Sequence, residues 1–405
     1  MPSSSVAGNP VDSPTLRVPP PAFLADPALQ AVLTALPGAR LVGGCVRDAL
    51  AGLPVADVDL ATPEPPPEVV RRLAQAGLRA APTGLDHGTV TAISGGRGFE
   101  VTTLRRDVET DGRHARIAWT DDWREDAARR DFTINAMSML PGGQVFDYFG
   151  GADDLAAGRV RFVGEAARRV AEDYLRVLRF FRFQARYGRG EPDPEAVAAV
   201  REGAPGIAQL SPERVWSELK RILVAPDPSG SVALMAQLGA LAYALPEGAA
   251  PERLAALVLA GAPADPMLRL AALLDGDAEL LAERLRMSGE ERDGLLALRR
   301  GPVPRPDMDD ADLRRLLAGE PAHLLVGRAW LVGGDAPGWP ELRARIAAMP
   351  RPSFPLAGRD ALALGAKPGP AVGKALAAVR AWWLDGGCTA SREACLAELA
   401  RRLAP

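Results

Sequence analysis

Strand-forming segments occur only in about the first 150 of the 405 residues, and this asymmetry restricts the chain to a mixed fold with a long helical part. Short apolar segments, ARLVGG, VADVDLA, HGTVTAIS and FEVTTL, predict strands, and the last two predict a hairpin across GGRG. Beyond Asp154 the chain is rich in Ala, Leu and Arg and predicts helices separated by Gly- and Pro-rich stretches. The sequence therefore predicts an α+β protein, with a small mixed sheet and its helices followed by an all-helical remainder.

The same change of pattern gives four predicted parts, within the two to four domains that this length suggests. Residues 1–22, rich in Pro and Ser, predict a disordered leader. Residues 23–150 form the head that contains the sheet. Residues 151–230 form a helical neck, in which Ser211 as N-cap and Pro212 in the first turn predict the start of a helix. Residues 231–405 form a helical body and tail.

Composition excludes several classes of protein. The three cysteines, Cys45, Cys388 and Cys395, have no zinc-like spacing, and their odd number argues against a disulfide framework. The sequence has no signal peptide and no apolar run long enough to cross a bilayer, so we expect a cytoplasmic protein without a membrane partner.

Local charge is more informative than the net charge of −3. Residues 159–189 contain nine arginines but only three acidic residues, Glu165, Glu172 and Asp173. An excess of this kind suits phosphate groups. The alternative is a solvated helix face in an arginine-rich chain.

Two aspartates one residue apart, Asp57 and Asp59 in VADVDL, point to a metal site. On a strand they share one face, where two like charges repel and add nothing to a sheet unless a cation is bound. Carboxylates are hard ligands that suit Mg²⁺, and two ions can activate an attacking hydroxyl and neutralise a leaving pyrophosphate. Glu100, in FEVTT, is a candidate third carboxylate from a neighbouring strand. The alternative for the pair is a solvated strand edge.

Two glycines upstream suit a phosphate. Gly43 and Gly44 lie where a strand gives way to a helix, and without Cβ atoms they allow backbone N–H groups to approach a ligand. Arg47 lies in the first helical turn, where its side chain is positioned to bind a triphosphate.

The pattern GG-x-x-R-D followed by D-x-D resembles the class II tRNA nucleotidyltransferase and bacterial poly(A) polymerase family. Further similar stretches are RRDFTINAM, FDYFGGADDLAAGRVRFVG and AEDYLRVLRFFRFQARYG. The similarity covers roughly residues 38–225, and LALGAKPGPAVGKAL also resembles the family's tail. The resemblance implies a polymerase-beta-like nucleotidyltransferase head followed by a helical neck, body and tail.

The stretch EDYLRVLRFFRF offers a way to select a base. On one helix Asp173 and Arg176 are i,i+3 neighbours, and an acceptor beside a donor matches the pairing edges of cytosine and adenine but not those of uracil and guanine. Intrahelical ion pairs, such as Glu172 with Arg176, are the alternative. The resemblance implies that Asp173 and Arg176 read the base. It further implies nucleotide contacts for Gly44, Arg47, Arg130, Arg179 and Arg182.

In RRDFTINAM we expect Asn135 to contact ribose or phosphate and Asp131 to orient an arginine, while Phe132 and Ile134 belong to the core.

The polar segment 105–129 corresponds to a mobile loop that the resembling enzymes use to switch from C to A addition, although a tolerated insertion is possible. The three histidines lie far apart, so we expect no His–Asp hydrolase domain and a structural or polar role for His87.

These observations predict an Mg²⁺-dependent enzyme that adds C, C and A to the 3′ end of tRNA from CTP and ATP and releases pyrophosphate. Alternatives are a poly(A) polymerase, a partial CC- or A-adding enzyme, a non-catalytic RNA-binding scaffold and a small-molecule nucleotidyltransferase. We expect the helical half to hold tRNA by shape and backbone contacts, and we expect at least one of Trp382 and Trp383 to be buried. No protein partner is evident.

Overall fold

The computed structural model of the protein describes residues 12–84, 88–110 and 115–404. The chain divides into two compact units. The first comprises Met1–Ile222 with Gly230–Ala244, and the second comprises Leu223–Ser229 with Leu245–Pro405. Within the described ranges, no helix is both long enough and apolar enough to cross a membrane.

The first unit contains the sheet. Its strands are β1 (Leu16–Arg17), β2 (Arg40–Val42), β3 (Asp59–Thr62), β4 (Arg79–Gly84), β5 (Thr89–Ser94), β6 (Arg97–Thr103), β7 (Arg105–Thr110), β8 (Ala115–Trp119), β9 (Met137–Met139) and β10 (Gln144–Asp147). Eight of them form one sheet in the order β1-β10-β9-β2-β3-β6-β5-β4, and β7 and β8 form a separate pair. Neighbouring strands are antiparallel except β3 and β6, which run parallel. The parallel pair brings the start of β3 beside the middle of β6, where the carboxylates lie.

The helices of the first unit surround and follow this sheet. They are α1 (Pro27–Ala35), α2 (Gly44–Leu50), α3 (Pro66–Gln75), α4 (Trp123–Ala128), α5 (Gly151–Ala157), α6 (Ala166–Glu172), α7 (Leu175–Tyr187), α8 (Pro194–Gly203), α9 (Pro212–Leu223), α10 (Ser229–Gln237) and α11 (Ala240–Ala244). Short 3₁₀ helices occupy Ala22–Ala25, Thr133–Asn135 and Ala204–Gln209. The start predicted for α9 after Ser211 is confirmed.

An aromatic core anchors α7 to the end of the sheet region. Phe132 and Phe162 are paired by an isolated β-bridge, and their ring centroids lie 4.6 Å apart. Phe180 and Phe183 of α7 pack on them, at 6.3 Å from Phe162 and 5.1 Å from Phe132 respectively. Phe132 and Ile134 are fully buried, which confirms their assignment to the core. Cζ of Arg179 and Cζ of Arg182, both on α7, lie 5.6 Å and 4.6 Å from the centroid of the Phe183 ring, so this packing also helps to place the arginines of the helix.

The second unit is helical throughout its described residues, apart from an isolated bridge between Ala249 and Leu274. Its helices are α12 (Pro251–Leu259), α13 (Pro266–Leu273), α14 (Ala278–Arg284), α15 (Gly289–Arg299), α16 (Asp310–Gly319), α17 (Ala322–Gly333), α18 (Trp339–Ala348), α19 (Gly358–Ala363), α20 (Pro370–Asp385) and α21 (Arg392–Leu403). Trp383 lies in a buried cluster with Leu356 and Leu399, and Trp382 packs at its margin, so the expectation that at least one tryptophan is buried is confirmed.

The predicted α+β class is confirmed, as is the β5–β6 hairpin across GGRG, where Ser94 pairs with Arg97. The tight turn requires positive φ at Gly95 (56°) and Gly96 (77°), which glycine adopts without strain. The predicted domain boundaries stay a prediction.

The prediction of a disordered leader is wrong for residues 12–22. Leu16 and Arg17 form β1 at the edge of the sheet, where they pair with Val145 and Gln144. The carboxylate of Asp12 pairs with the buried Arg40. Composition favoured disorder, but edge pairing and this ion pair compensate for the entropy of ordering.

The segment 105–129 is more regular than its polar sequence suggested. β7 and β8 pair antiparallel from Arg105 and Trp119 to Thr110 and Ala115, with a register shift between Asp107 and Glu109, and α4 follows. The irregular register explains why no clear alternation is visible in the sequence. Residues 111–114 lie outside the described part of the chain.

Candidate active site

A cavity of about 770 Å³ in the first unit collects most of the residues that the sequence singled out. Eight arginines line it, against four carboxylates, so the cavity attracts anions. Asp57 does not line it, and His87 lies outside the described residues. The predicted site residues in its lining are Gly44, Arg47, Asp59, Glu100, Arg130, Asp173, Arg176, Arg179 and Arg182.

One edge of the cavity carries the carboxylates Asp59 and Glu100. Asp57 lies outside the lining, but its charge acts on Asp59, and we call the three residues together the carboxylate edge. Asp59 is the first residue of β3 and pairs directly with Glu100 of β6. The prediction that Asp57 lies on the same strand is wrong, because β3 begins at Asp59 and Asp57 lies in the preceding segment. The proline at position 54 lacks an N–H group, and β2 pairs with β3 only from Leu60 onward, so residues before Asp59 have no partner strand on that side.

The carboxylates of this edge repel each other. Burial raises the pKa of Asp59, and the neighbouring charges of Glu100 and Asp57 raise it further, while Arg130 acts in the opposite direction. Within the described residues none of the three forms an ion pair with an arginine or lysine. Arg130, whose charge acts on Asp59, forms its ion pair with Asp126. The edge therefore holds uncompensated negative charge.

The donor set of this edge suits a hard divalent cation. In the described ranges, no three His, Cys, Asp or Glu side chains are close enough together to hold a metal ion by themselves. A cation here must complete its coordination with substrate oxygens and water, as Mg²⁺ usually does. Uncompensated carboxylates beside an anion-attracting cavity fit a metal that arrives with a phosphate substrate.

The glycine turn after β2 lies against the same cavity. β2 ends at Val42, and Gly43 has φ 69°, a conformation that residues with a Cβ rarely adopt. A Cβ at Gly43 would lie 2.8 Å from Nη1 of Arg130, so the turn and this guanidinium require glycine here. Gly44 begins α2, and Arg47 follows one turn later.

A buried carboxylate that the sequence did not reveal holds two of the arginines. Asp126 accepts hydrogen bonds from Arg129 (3.0 Å) and Arg130 (3.3 Å) and from the backbone N–H of Arg105 (3.2 Å). Burial opposes ionisation of Asp126, but the two arginines outweigh it and keep its pKa below the ordinary value. Asp126 lies in a segment without regular alternation, so no pattern marked it.

Asp131 orients an arginine, as expected. Its carboxylate accepts hydrogen bonds from Nε of Arg179 (2.6 Å), from Nδ2 of Asn135 (3.0 Å) and from the N–H of Phe132 (2.9 Å). Burial alone would raise the pKa of Asp131, but Arg179 and these donors lower it. Asp131 is therefore ionised and fixed at neutral pH.

The base-reading pair does not lie on one continuous helix, contrary to our prediction. α6 ends at Glu172, Asp173 has an extended backbone (φ −159°, ψ 109°), and α7 begins at Leu175. At the break, Oδ1 of Asp173 accepts the N–H of Leu175 (3.0 Å), a local bond from side chain to backbone that competes with continuation of the helix. Both Asp173 and Arg176 nevertheless line the cavity.

Each member of this pair has its own partner. Oδ2 of Asp173 accepts from Arg214 (2.7 Å), and Nη1 of Arg176 donates to Glu172 (2.5 Å) and to the carbonyl of Arg169 (2.7 Å). The ion pair between Glu172 and Arg176 that we considered as an alternative is thus present. A carboxylate has about four acceptor positions and a guanidinium five N–H groups, so both side chains keep capacity for a ligand.

We call Arg176, Arg179 and Arg182 of α7 the arginine wall. Nη1 of Arg182 donates to the buried Glu218 of α9 (3.0 Å). Burial and the charge of Arg179 lower the pKa of Arg182 to about 10, although Glu218 opposes this shift. An anion in the cavity would relieve the repulsion between these two guanidinium groups.

Helix α9 was predicted, but its contribution to the cavity was the main feature that sequence reasoning missed. Arg214 and Glu218 are four residues apart, so they project from one side of α9, and each holds a residue of the cavity. The sequence did contain an indication of this role, since Arg214 and Glu218 are two charged residues at helical spacing. Charged residues at that spacing are common on solvated faces, so only the fold distinguishes the two cases.

The geometry agrees with comparisons to known proteins. A family model described as "Poly A polymerase head domain" matches residues 39–161, and another described as "Probable RNA and SrmB- binding site of polymerase A" matches residues 191–250. The CCA tRNA nucleotidyltransferase 1, mitochondrial, of Danio rerio is 38% identical over 89% of this chain and 87% of its own length. This chain belongs to the CCA tRNA nucleotidyltransferase family.

Bacterial members of the CCA tRNA nucleotidyltransferase family are also similar. The CCA-adding enzyme of Geobacillus stearothermophilus is 33% identical over 84% of this chain and 87% of its own length. The crystal structure of the Bacillus stearothermophilus CCA-adding enzyme in complex with CTP superposes with a TM-score of 0.75 at 27% identity, covering 93% of this chain and 98% of that one. The Thermotoga maritima CCA-adding enzyme complexed with tRNA shares the fold, with a TM-score of 0.65 at 19% identity over 94% and 98% of the two chains.

Nucleotidyltransferases of this family generally use divalent metal ions. Similar curated proteins include both mitochondrial and bacterial enzymes, so membership in the family does not fix a compartment.

Proposed function

We propose that this protein is a template-independent nucleotidyltransferase that adds C, C and A to the 3′ end of tRNA from CTP and ATP. The observation that carries the proposal is one cavity whose lining includes Asp59 and Glu100 of the carboxylate edge together with the arginine wall, and Asp173 from the junction of α6 and α7. Similarity to CCA-adding enzymes over most of the chain supports the choice of tRNA, CTP and ATP as substrates.

In the proposed reaction the tRNA 3′-hydroxyl oxygen bonds to the α-phosphorus of the nucleotide. The bond from that phosphorus to the bridging oxygen breaks, pyrophosphate leaves, and the hydroxyl proton passes to solvent. Two Mg²⁺ ions held by Asp57 and Asp59, when bound, would activate the hydroxyl and neutralise the departing pyrophosphate. Glu100, in register with Asp59, would add a third carboxylate.

We assign the phosphates to the side of the cavity that contains Gly44, Arg47 and Arg130. Arg47 and Arg130 bring positive charge to the glycine turn, where backbone N–H groups are accessible. Both arginines are held by neighbouring acceptors before a ligand arrives. Positioning and electrostatic stabilisation of this kind supply most of the catalysis in phosphoryl and nucleotidyl transfer.

We assign the base to Asp173 and Arg176, with Arg179 and Arg182 as further contacts to the nucleotide. Asp173 offers an acceptor and Arg176 a donor, the complement of the amino group and ring nitrogen that cytosine and adenine share. Uracil and guanine present a carbonyl and a ring N–H instead, so they leave buried polar groups unpaired at about 1–3 kcal/mol each. The partners Arg214 and Glu172 support this assignment because they fix both groups.

The helical body and tail remain our candidates for holding tRNA, and the cytoplasm remains the compartment that we propose. The segment 105–129 begins at Arg105, which lines the cavity, so a change in this segment would reach the site directly. This placement supports a role for the segment in the switch from C to A addition.

The deciding experiment offers tRNA lacking its CCA end each nucleoside triphosphate separately. We expect two additions with CTP alone, one addition with ATP on tRNA ending in CC, and none with UTP or GTP. Long A tails without use of CTP would replace the proposal with a poly(A) polymerase, the activity suggested by the head-domain model's description. Absence of pyrophosphate release with every nucleotide would leave a non-catalytic RNA-binding protein.

A further inference from the structure

Two residues hold the guanidinium of Arg47 through all three of its nitrogens. Its Nε donates to Oδ1 of Asp48 (3.0 Å), its Nη2 lies 3.0 Å from the same oxygen, and its Nη1 donates to Oδ1 of Asn135 (2.5 Å). A guanidinium has five N–H groups, so one remains on each Nη after these bonds. Arg47 lines the cavity, and those remaining groups are available to an anion there.

The contact between Arg47 and Asp48 needs support from elsewhere. Adjacent residues of a helix point in different directions and do not normally meet. The hydroxyl of Tyr187 donates to the same Oδ1 of Asp48 (2.5 Å), and Cζ of Arg47 lies 4.5 Å from the centroid of the Tyr187 ring. Tyr187 therefore fixes the carboxylate with its hydroxyl and covers the guanidinium with its ring.

This bond also joins distant parts of the sequence. Asp48 lies on α2, whereas Tyr187 is the last residue of α7, 139 positions away. α7 also carries the arginine wall. A change in the bond between Tyr187 and Asp48 would therefore change the position of the Arg47 guanidinium relative to that wall. Burial raises the pKa of Tyr187, and the bond to Asp48 raises it further, so its hydroxyl stays a donor at neutral pH.

We propose that Asp48 and Tyr187 are positioning residues that hold the Arg47 guanidinium toward the phosphates of the incoming nucleoside triphosphate. The inference rests on the proposed function, and it assigns roles to two residues that do not line the cavity. The inference requires that substitution of Asp48 or Tyr187 changes KM for CTP and KM for ATP equally, because the phosphates are common to both nucleotides. It also requires Tyr187 to act through Asp48.

The test uses the full chain with Tyr187→Phe, which removes the hydroxyl and keeps the ring, and with Asp48→Asn. We measure kcat and KM for CTP and for ATP, KM for tRNA, and binding of CTP without tRNA by calorimetry. We expect KM for both nucleotides to rise about tenfold in Tyr187→Phe, with kcat, KM for tRNA and the exclusion of UTP unchanged. The double variant should equal Asp48→Asn alone, since the hydroxyl would have lost its charged acceptor.

The matched control is Tyr148→Phe, in the same unit. The Tyr148 hydroxyl also donates to an aspartate, Asp12 (2.6 Å), and accepts from Arg40 (3.3 Å). Neither partner lines the cavity, so removal of this hydroxyl should leave nucleotide KM unchanged. Nucleotide KM values within twofold of wild type in Tyr187→Phe would overturn the inference, as would additive effects in the double variant. Failure of the proposed function is distinguishable, because the wild-type protein would then not incorporate CTP.

Discussion

The two sides of the cavity carry charge in opposite ways. On the arginine wall each cation is matched by a buried or half-buried carboxylate: Glu172 for Arg176, Asp131 for Arg179 and Glu218 for Arg182. On the carboxylate edge, Asp59 and Glu100 lie side by side without an ion-pair partner among the described residues.

This difference indicates two strategies in one site. Paired arginines are fixed before a ligand binds, so little reorganisation is needed when phosphates arrive. Unpaired carboxylates are unfavourable in the free protein and become favourable only when a cation is present. The wall therefore supplies orientation, and we expect the edge to supply the chemistry.

The largest effect should follow from removing the edge. We expect Asp59→Ala to reduce incorporation by at least about a thousandfold, because the loss of a metal ligand removes several kcal/mol of transition-state stabilisation. Binding of tRNA should change little. The exposed Asp153 of α5 provides the control, and Asp153→Ala should retain wild-type incorporation. Normal incorporation by Asp59→Ala would remove the catalytic assignment of this edge.

A second substitution of Asp59 tests how much its unpaired negative charge destabilises the folded protein. The pKa of Asp59 is raised in the folded protein, so above the unfolded pKa its ionised form opposes folding. Asp59→Asn should therefore raise the melting temperature of the protein in EDTA at pH 7, and the difference should vanish as the pH falls toward 4. A lower melting temperature would show that Asp59 is stabilised by a partner.

How far the sequence predicted these two sides depends on what determines each residue's position. The edge was identified from Asp57, Asp59 and Glu100, since closely spaced acids on neighbouring strands have few structural uses. The break at Asp173 was not predicted, because a hydrogen bond from a side chain to the backbone can override helical periodicity. Glu218 holds Arg182 across 36 positions of sequence, and no local pattern records such a contact. Asp126 and Arg130 are four positions apart, but charged residues at that spacing are also common on solvated faces.

Removal of a carboxylate that holds the arginine wall should lower the free energy of unfolding of the protein. Asp131→Asn should cost about 2 kcal/mol of folding free energy at pH 7, since it leaves Arg179 without its buried partner. The pKa of Asp131 lies below 3.8, so this contribution is present above about pH 4 and is lost as the pH falls through the lowered value. Urea denaturation at pH 7 and pH 3 should show a large difference between variant and wild type that shrinks in acid. Equal differences at both pH values would contradict this account.

Base selection should weaken when the partner of Asp173 is removed. We expect Arg214→Met to lower kcat/KM for CTP and ATP about tenfold, because Asp173 loses one of its two fixed hydrogen bonds. The margin over UTP, which is the ratio of kcat/KM for CTP or ATP to kcat/KM for UTP, should also become smaller. Arg201→Met, at the end of α8 and outside the cavity lining, is the matched control and should behave as wild type. An unchanged margin over UTP in Arg214→Met would separate Asp173 from base selection.

The smallest effect concerns the charge of the arginine wall at alkaline pH. The pKa of Arg182 is about 10, so binding of CTP should weaken as the pH rises through that value and Arg182 loses its charge. Glu218 holds this pKa up, so Glu218→Gln should move the weakening to lower pH. At pH 9.5 the variant should bind CTP a few-fold more weakly than wild type, and at pH 7.5 the two should differ less. Calorimetric titration of CTP across this range measures the shift. If the two profiles coincide, Glu218 orients Arg182 only through packing, and the electrostatic contrast between the two sides does not extend to this position.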